Sequence, residues 1–142
     1  MTTMTGKARN AYLAQSVLTA SPERLLLMLL DRLVLDAEQG LRAQMRGDRA
    51  EVNTQLQHAQ RIVTELITSL DLDGMPAGQE LVALYQYLNR RFIEANVRND
   101  QAAAREAVML SRRLRDIWHR AAAIAAKEAG AQQAARPQVA HR

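Results

Sequence analysis

The sequence predicts an all-α protein, and more specifically an antiparallel up-and-down four-helix bundle with a docked N-terminal segment and a disordered C-terminal tail. Three observations lead to this prediction. Leu, Ala, Arg and Gln, which favour helices, are abundant, whereas β-branched residues are few and scattered. Four stretches repeat apolar residues at the three-and-four spacing of one buried helix face. Short connections join these stretches, as in a bundle whose consecutive helices are antiparallel neighbours.

The first helix is expected to begin at Pro22. Ser21 is a good N-cap, proline fits the first helical position, and Glu23 complements the positive end of the helix dipole. The apolar stripe of this helix continues to about Met45, and Gly47 should end it.

Six consecutive large apolar residues, 25–30, make the beginning of this helix apolar around its whole circumference. A bundle helix needs only one apolar stripe, and surplus apolar surface is usually covered by another chain. We expect Leu26 and Leu29 to belong to the core, and Leu30, together with Leu27, to face a groove.

Similar signals delimit the other three helices. Asp48 should cap the second helix, with Glu51 three residues later as in a capping box. A loop with two glycines and a proline follows at residues 71–78. The expected bounds are about Gln79 to Asn96 for the third helix and, for the fourth, a cap at Asn99 or Asp100 and a last large apolar residue at Ile124.

The pattern divides the chain into a leader at residues 1–20, the four-helix bundle at 21–128 and a tail at 129–142. The leader lacks sustained periodicity but contains Tyr12 and other apolar residues, so we expect it to dock on the bundle. The tail has no apolar period and contains a proline, which predicts disorder.

The composition argues against several classes of protein. The absence of cysteine excludes disulfides, thiolate metal sites and a cysteine nucleophile. The longest apolar run, at 25–30, is far shorter than the roughly 20 residues that span a bilayer, and no secretory signal precedes Ser21. We therefore expect a cytosolic protein without membrane insertion.

Little in the sequence would support catalysis. It has neither a phosphate-binding glycine loop nor a Gly-x-Ser-x-Gly motif. Only Asp116 and His119 have the spacing that a bundle metal site requires, and one such pair arises readily by chance. We expect no enzyme activity, no metal and no cofactor.

The formal net charge of +4 leaves nucleic-acid binding as an alternative function. A basic helical adaptor would use Arg90, Arg91, Arg112, Arg113 and Arg115. These arginines lie within helical patterns and are not interleaved with aromatic residues that stack on bases, which favours solvated helix faces.

Surface recognition remains as the favoured kind of function. Tyr85 and Tyr87 lie about 200 degrees apart around the third helix, so one of them should face a neighbour or a groove. Asn96 is expected to cap this helix or to hydrogen-bond a bound backbone. Trp118 is expected to anchor the core rather than to bind a partner.

Two stretches of the sequence resemble those of FliS-type flagellar secretion chaperones: NAYLAQSVLTASPERLLLMLLDRL at residues 10–33 and LVALYQYLNRRFIEANVRNDQAA at 81–103. The resemblance includes AQRIVTEL at 59–66 and RLRDIW at 113–118, and it spans about residues 10 to 121. It implies a cytoplasmic four-helix bundle that binds the C-terminal segment of flagellin, which is disordered when free, in apolar grooves.

The resemblance also implies that the leader around Tyr12 covers a groove when no client is bound, that the chaperone prevents premature polymerisation, and that it binds the export gate protein with its client. Some members self-associate, so a homodimer is a possible assembly. From the apolar pattern and the resemblance together we predict eight partner-binding residues: Tyr12, Leu26, Leu30, Tyr85, Leu88, Asn89, Phe92 and Asn96. Of these, Leu26, Leu88 and Phe92 also complete the bundle stripes, so core burial is an alternative for them.

Overall fold

The computed structural model describes residues 21–135, which form four α-helices. The helices are α1 (Pro22–Met45), α2 (Arg49–Thr68), α3 (Gly78–Val97) and α4 (Gln101–Ala135). All four were predicted, and none of them is long and apolar enough to cross a membrane. The predicted docking of the leader at 1–20 lies outside the described residues.

Side-chain caps begin three of the helices, as the sequence predicts. The hydroxyl of Ser21 accepts a hydrogen bond from the Arg24 backbone N–H at 3.2 Å, and the carboxylate of Asp48 accepts one from Glu51 at 3.1 Å. At the start of α4, the Asp100 carboxylate accepts from the Ala103 N–H at 3.1 Å. Each cap satisfies a backbone donor that has no partner inside its helix.

The predicted capping box at the start of α2 needs correction. The carboxylate of Glu51 accepts a hydrogen bond from the Gln55 side chain at 2.6 Å, so this bond joins two side chains one turn apart within α2 rather than closing a capping box with Asp48. Helix α3 begins at Gly78, one residue before the predicted start at about Gln79, and no side chain caps it.

The four helices enclose one core in a closed ring. Helices α1 and α3 each pack against both α2 and α4. Cross-helix pairs fix the register: Glu38 bonds to Arg112 at 2.8 Å, and Asp31 bonds to His119 at 2.8 Å. Along this pair of helices, residue numbers therefore rise in α1 as they fall in α4. The largest fully buried side chains include Tyr85, Phe92, Leu30, Leu33, Leu56, Leu66 and Leu88.

Helix α4 has 35 residues, compared with 24 in α1 and 20 in α3. Its last turns are exposed. The prediction of disorder from residue 129 is wrong for 129–135, which continue the helix to Ala135. Alanine and glutamine there favour helix, and the single Gly130 is tolerated within the run. The remaining tail, 136–142, lies outside the described residues.

Candidate functional site

The most apolar candidate site is a pocket at the end of the bundle where α1 begins and α2 ends. We call it the end pocket. It has a volume of about 300 Å³, and Met75 of the α2–α3 loop forms part of its wall. Its lining consists of Pro22, Glu23, Leu26, Leu66, Ser69, Leu70, Asp71, Met75, Tyr85 and Trp118.

A hydrogen bond between two aromatic side chains forms one wall of the end pocket. The Trp118 Nε1–H donates to the Tyr85 hydroxyl oxygen at 3.1 Å, joining α4 to α3. Tyr85 is fully buried, and this burial raises the pKa of its hydroxyl above the ordinary value of 10.0, while the bond from Trp118 acts in the opposite direction. Trp118 packs against the core, as predicted, but it also lines the pocket.

The apolar run at 25–30 divides differently from the prediction. Leu26 and Leu29 are partly buried and pack against the core, and Leu26 also lines the end pocket. Leu30 is 0% exposed, which corrects the expectation that it faces an open groove. The inward stripe of α1 passes through Leu30, so the partly exposed apolar residues are 25–29, among them Leu27.

Two further predicted binding residues on α3 are interior. Leu88 and Phe92 are both 0% exposed and belong to the core cluster. Neither side chain presents surface to a partner in this structure, so the core alternative describes both residues and their prediction as contact residues does not hold. Tyr85, equally buried, reaches the end pocket through its contact with Trp118. Tyr87 is 38% exposed, so the two tyrosines divide between core and surface as their spacing predicts.

Asn89 lies in a second candidate surface, a groove between α2 and α3 of about 460 Å³. Gln57, Gln60, Arg61 and Thr64 of α2 complete its lining. The Oδ1 atom of Asn89 is buried and accepts no hydrogen bond from residues 21–135. The residues that line the groove are therefore polar in type, whereas the sequence predicted apolar grooves.

Asn96 does not cap α3, and its prediction as a cap is wrong. The C-cap is Arg98, and the Asn96 side chain donates through Nδ2 to Asn53 Oδ1 at 3.0 Å. Arg49 donates to the Asn96 carbonyl at 2.7 Å and to Asn99 Oδ1 at 2.9 Å. Asn96 is 9% exposed, so it joins the ends of α2 and α3 and offers little to a bound backbone. No periodic signal in the sequence marks this polar cluster.

The arginines of the nucleic-acid alternative are mostly engaged with carboxylates. Arg91 pairs with Glu94 at 2.7 Å and with Glu106 at 3.0 Å. Arg112 pairs with Glu38, Arg115 with Asp116, and Arg90 lies over the ring of Tyr87 at 5.8 Å. These contacts spread the arginines over separate helix faces, so the alternative is not supported.

Asp116 and His119 do not form a common site. His119 bonds to Asp31 on α1, while Asp116 bonds to Arg115 at 3.0 Å. Among residues 21–135, no group of three or more His, Asp or Glu side chains is arranged to hold a metal ion.

An apolar site between the helices of a bundle is one of the recurring places where a protein binds an amphipathic helix of another chain. The family model described as flagellar protein FliS matches residues 4–125. The flagellar secretion chaperone FliS of Bacillus subtilis (strain 168) is 32% identical over 111 residues, which cover 78% of this chain and 83% of the relative. The flagellar secretion chaperone FliS of Escherichia coli (strain K12) is 31% identical over 105 residues, covering 72% and 77%. The chain therefore belongs to the FliS family of flagellar secretion chaperones.

Proposed function

We propose that this protein is a cytosolic export chaperone that holds the disordered C-terminal segment of flagellin on an antiparallel four-helix bundle. Binding would keep the client from polymerising before export and would deliver it to the flagellar export apparatus, where the export gate protein is a second partner. Family membership supports this role. We also propose that the protein can form a homodimer, and this proposal rests on the family resemblance.

The end pocket is the observation that carries the proposal. Leu26, Met75 and Trp118 contribute apolar surface to it, and about 300 Å³ is enough for a large apolar side chain of an incoming helix. Burial of such anchors supplies the binding free energy. Ordering a disordered client costs several kcal/mol, so more than one contact region is needed.

The groove between α2 and α3 supplies a second contact region in this proposal. A segment that orders on binding must satisfy its polar groups as well as its apolar ones. Glutamine and asparagine side chains both donate and accept hydrogen bonds. Asn89 and Gln57, which line this groove, therefore suit the backbone or polar side chains of the client.

The leader is the proposed occupant of the end pocket when no client is present. Its last residue precedes Ser21 directly, and Pro22 and Glu23 already form the rim of the pocket. Only a short length of chain is needed to bring the apolar residues near Tyr12 over the opening. Client binding would then displace the leader.

Trp118 provides a direct test because it is the only tryptophan in the chain. We expect the C-terminal segment of flagellin from the same organism, free of tryptophan, to change the fluorescence of Trp118 on titration. Calorimetry should give a negative heat capacity change, since apolar surface is buried. Absence of binding at tens of micromolar, or a heat capacity change near zero, would contradict the proposal.

Single substitutions in the end pocket test whether the flagellin segment binds there. Leu26→Asp and Met75→Asp should each weaken binding at least about tenfold, because each places a charge in the end pocket. The matched control is Val97→Asp, a 73% exposed position at the other end of α3. Far-ultraviolet circular dichroism should show that all three remain helical. Equal loss of binding in the Val97 variant would exclude the end pocket as the specific site.

A further inference from the structure

A third surface lies on the outer face of α4 and carries an arginine–methionine–arginine row. Arg105, Met109 and Arg113 are spaced at i, i+4 and i+8, so they follow one side of the helix over about 12 Å. All three are exposed, and Met109 retains 45% of its accessible surface. We call these residues the Arg105–Met109–Arg113 row.

The row borders a groove of about 340 Å³ between α4 and α1. Leu41 of α1 and Val108 of α4 contribute apolar surface to the same groove. Methionine is flexible and polarizable, so Met109 can adapt its shape to a partner side chain. The groove therefore combines an apolar strip with margins that carry three arginines and one carboxylate, that of Asp116.

The carboxylates beside the row are already paired. Glu38 is held by Arg112 at 2.8 Å, and Asp116 is held by Arg115 at 3.0 Å. Arg105 and Arg113, in contrast, form no ion pair with any other side chain in residues 21–135. The positive charge on both sides of Met109 is thus available to a partner.

We propose that the Arg105–Met109–Arg113 row binds an acidic amphipathic helix of another protein, with one apolar residue on Met109 and a carboxylate one turn away on each side. Carboxylates seven or eight residues apart on a helix have about the same 12 Å separation as the two arginines. Arginine pairs with carboxylate through directed hydrogen bonds. Nucleic acid fits less well, because its phosphates would gain nothing from Met109 and the groove lining contains no aromatic residue for stacking.

The test uses a fluorescein-labelled synthetic helix of about five turns, in which a leucine has a glutamate at i−4 and at i+4. A matched peptide carries lysine at both positions, and a labelled single-stranded oligonucleotide represents nucleic acid. Fluorescence anisotropy with the full-length chain should show binding of the glutamate peptide only, weakening as salt rises. Equal binding of the lysine peptide, or tighter binding of the oligonucleotide, would overturn the proposal.

Charge-matched variants localise the binding. The double variant Arg105→Glu/Arg113→Glu should weaken binding of the glutamate peptide about tenfold. The control Arg24→Glu/Arg98→Glu changes the net charge equally and should alter the affinity by no more than about twofold. Met109→Ala should weaken binding severalfold without loss of helicity, because its side chain is exposed. Leu26→Asp should leave peptide binding unchanged, which separates this surface from the end pocket. Equal effects of the two arginine pairs would contradict the assignment.

Discussion

The Trp118 Nε1–H donates a hydrogen bond to the Tyr85 hydroxyl oxygen, and this bond ties α4 to α3 beside the end pocket. The Tyr85 side chain is 0% exposed, whereas Trp118 is partly exposed and lines the pocket. The bond therefore fixes the shape of the pocket wall as well as adding to stability. The proposed client site depends on a contact that the sequence pattern did not reveal.

Replacing Tyr85 by phenylalanine removes the hydroxyl group that accepts the hydrogen bond from the Trp118 Nε1–H. We expect the free energy of unfolding to fall by about 0.5 to 1.5 kcal/mol, the usual net contribution of a hydrogen bond, because Trp118 is partly exposed and its N–H can reach water. Urea denaturation followed by circular dichroism measures this change. Tyr87→Phe is the matched control, because its hydroxyl bonds to Glu106 at the surface and should cost under about 0.5 kcal/mol. Equal losses in the two variants would contradict a special role for the interior bond.

The burial of Tyr85 also predicts how stability responds to alkaline pH. Burial raises the pKa of this hydroxyl above 10.0 in the folded state, so the unfolded chain loses the proton first. The associated stability is complete below pH 10.0 and is lost as the pH rises through the folded-state pKa. Urea midpoints should therefore fall more steeply above pH 10.0 in the natural chain than in Tyr85→Phe. If the urea midpoints of the two proteins fell equally steeply with pH, the pKa of Tyr85 would not be raised in the folded state.

The helix boundaries were readable because they depend on local chemistry. Ser21, Asp48 and Asp100 cap their helices through contacts within three residues, which sequence spacing captures directly. How deeply a side chain is buried, in contrast, depends on residues that are far away in the sequence. A stripe places Leu30 and Phe92 on the inward side of their helices, but whether that side meets the core or a groove depends on how closely the neighbouring helices approach. The sequence pattern therefore predicted that Leu30 faces a groove and left core burial open for Phe92, and the packing places both residues in the core.

A further prediction concerns Asp36, whose burial and partners are seen only in the tertiary structure. Its side chain is fully buried on α1 and is held by Arg32 at 3.0 Å and by His58 of α2. A double-mutant cycle with Asp36→Ala and His58→Ala should give a coupling free energy of about 1 to 2 kcal/mol in urea denaturation. The exposed pair Arg115 and Asp116 serves as the control, with coupling below about 0.5 kcal/mol. A coupling as small as that of the exposed pair would mean that burial does not strengthen the bond.

Two helical glycines should respond in opposite directions to replacement by alanine. A Cβ on Gly40 would lie 2.5 Å from Leu56 Cδ2, inside the packed core, so Gly40→Ala should destabilise the protein by about 1 to 3 kcal/mol. At Gly130, no atom of residues 21–135 outside the adjoining helix backbone and chain neighbours lies within 4 Å of a Cβ, and alanine there should raise helicity through its intrinsic preference. Thermal unfolding and circular dichroism measure both effects. A stabilising Gly40→Ala would show that Leu56 has room to move.

The apolar run at 25–30 yields the last prediction, because its members differ in depth despite their similar chemistry. Leu30 is 0% exposed, so Leu30→Ala should cost about 2 to 5 kcal/mol through the cavity that it leaves, and Leu30→Asp should abolish the folded helical signal. Met28 is partly exposed, so Met28→Ala should cost less than about half as much. Urea denaturation of the two alanine variants gives the comparison. The opposite result would be a Leu30→Asp variant that stays folded and loses only client binding. It would mean that Leu30 faces a groove, because the packing around it could then open without unfolding the bundle.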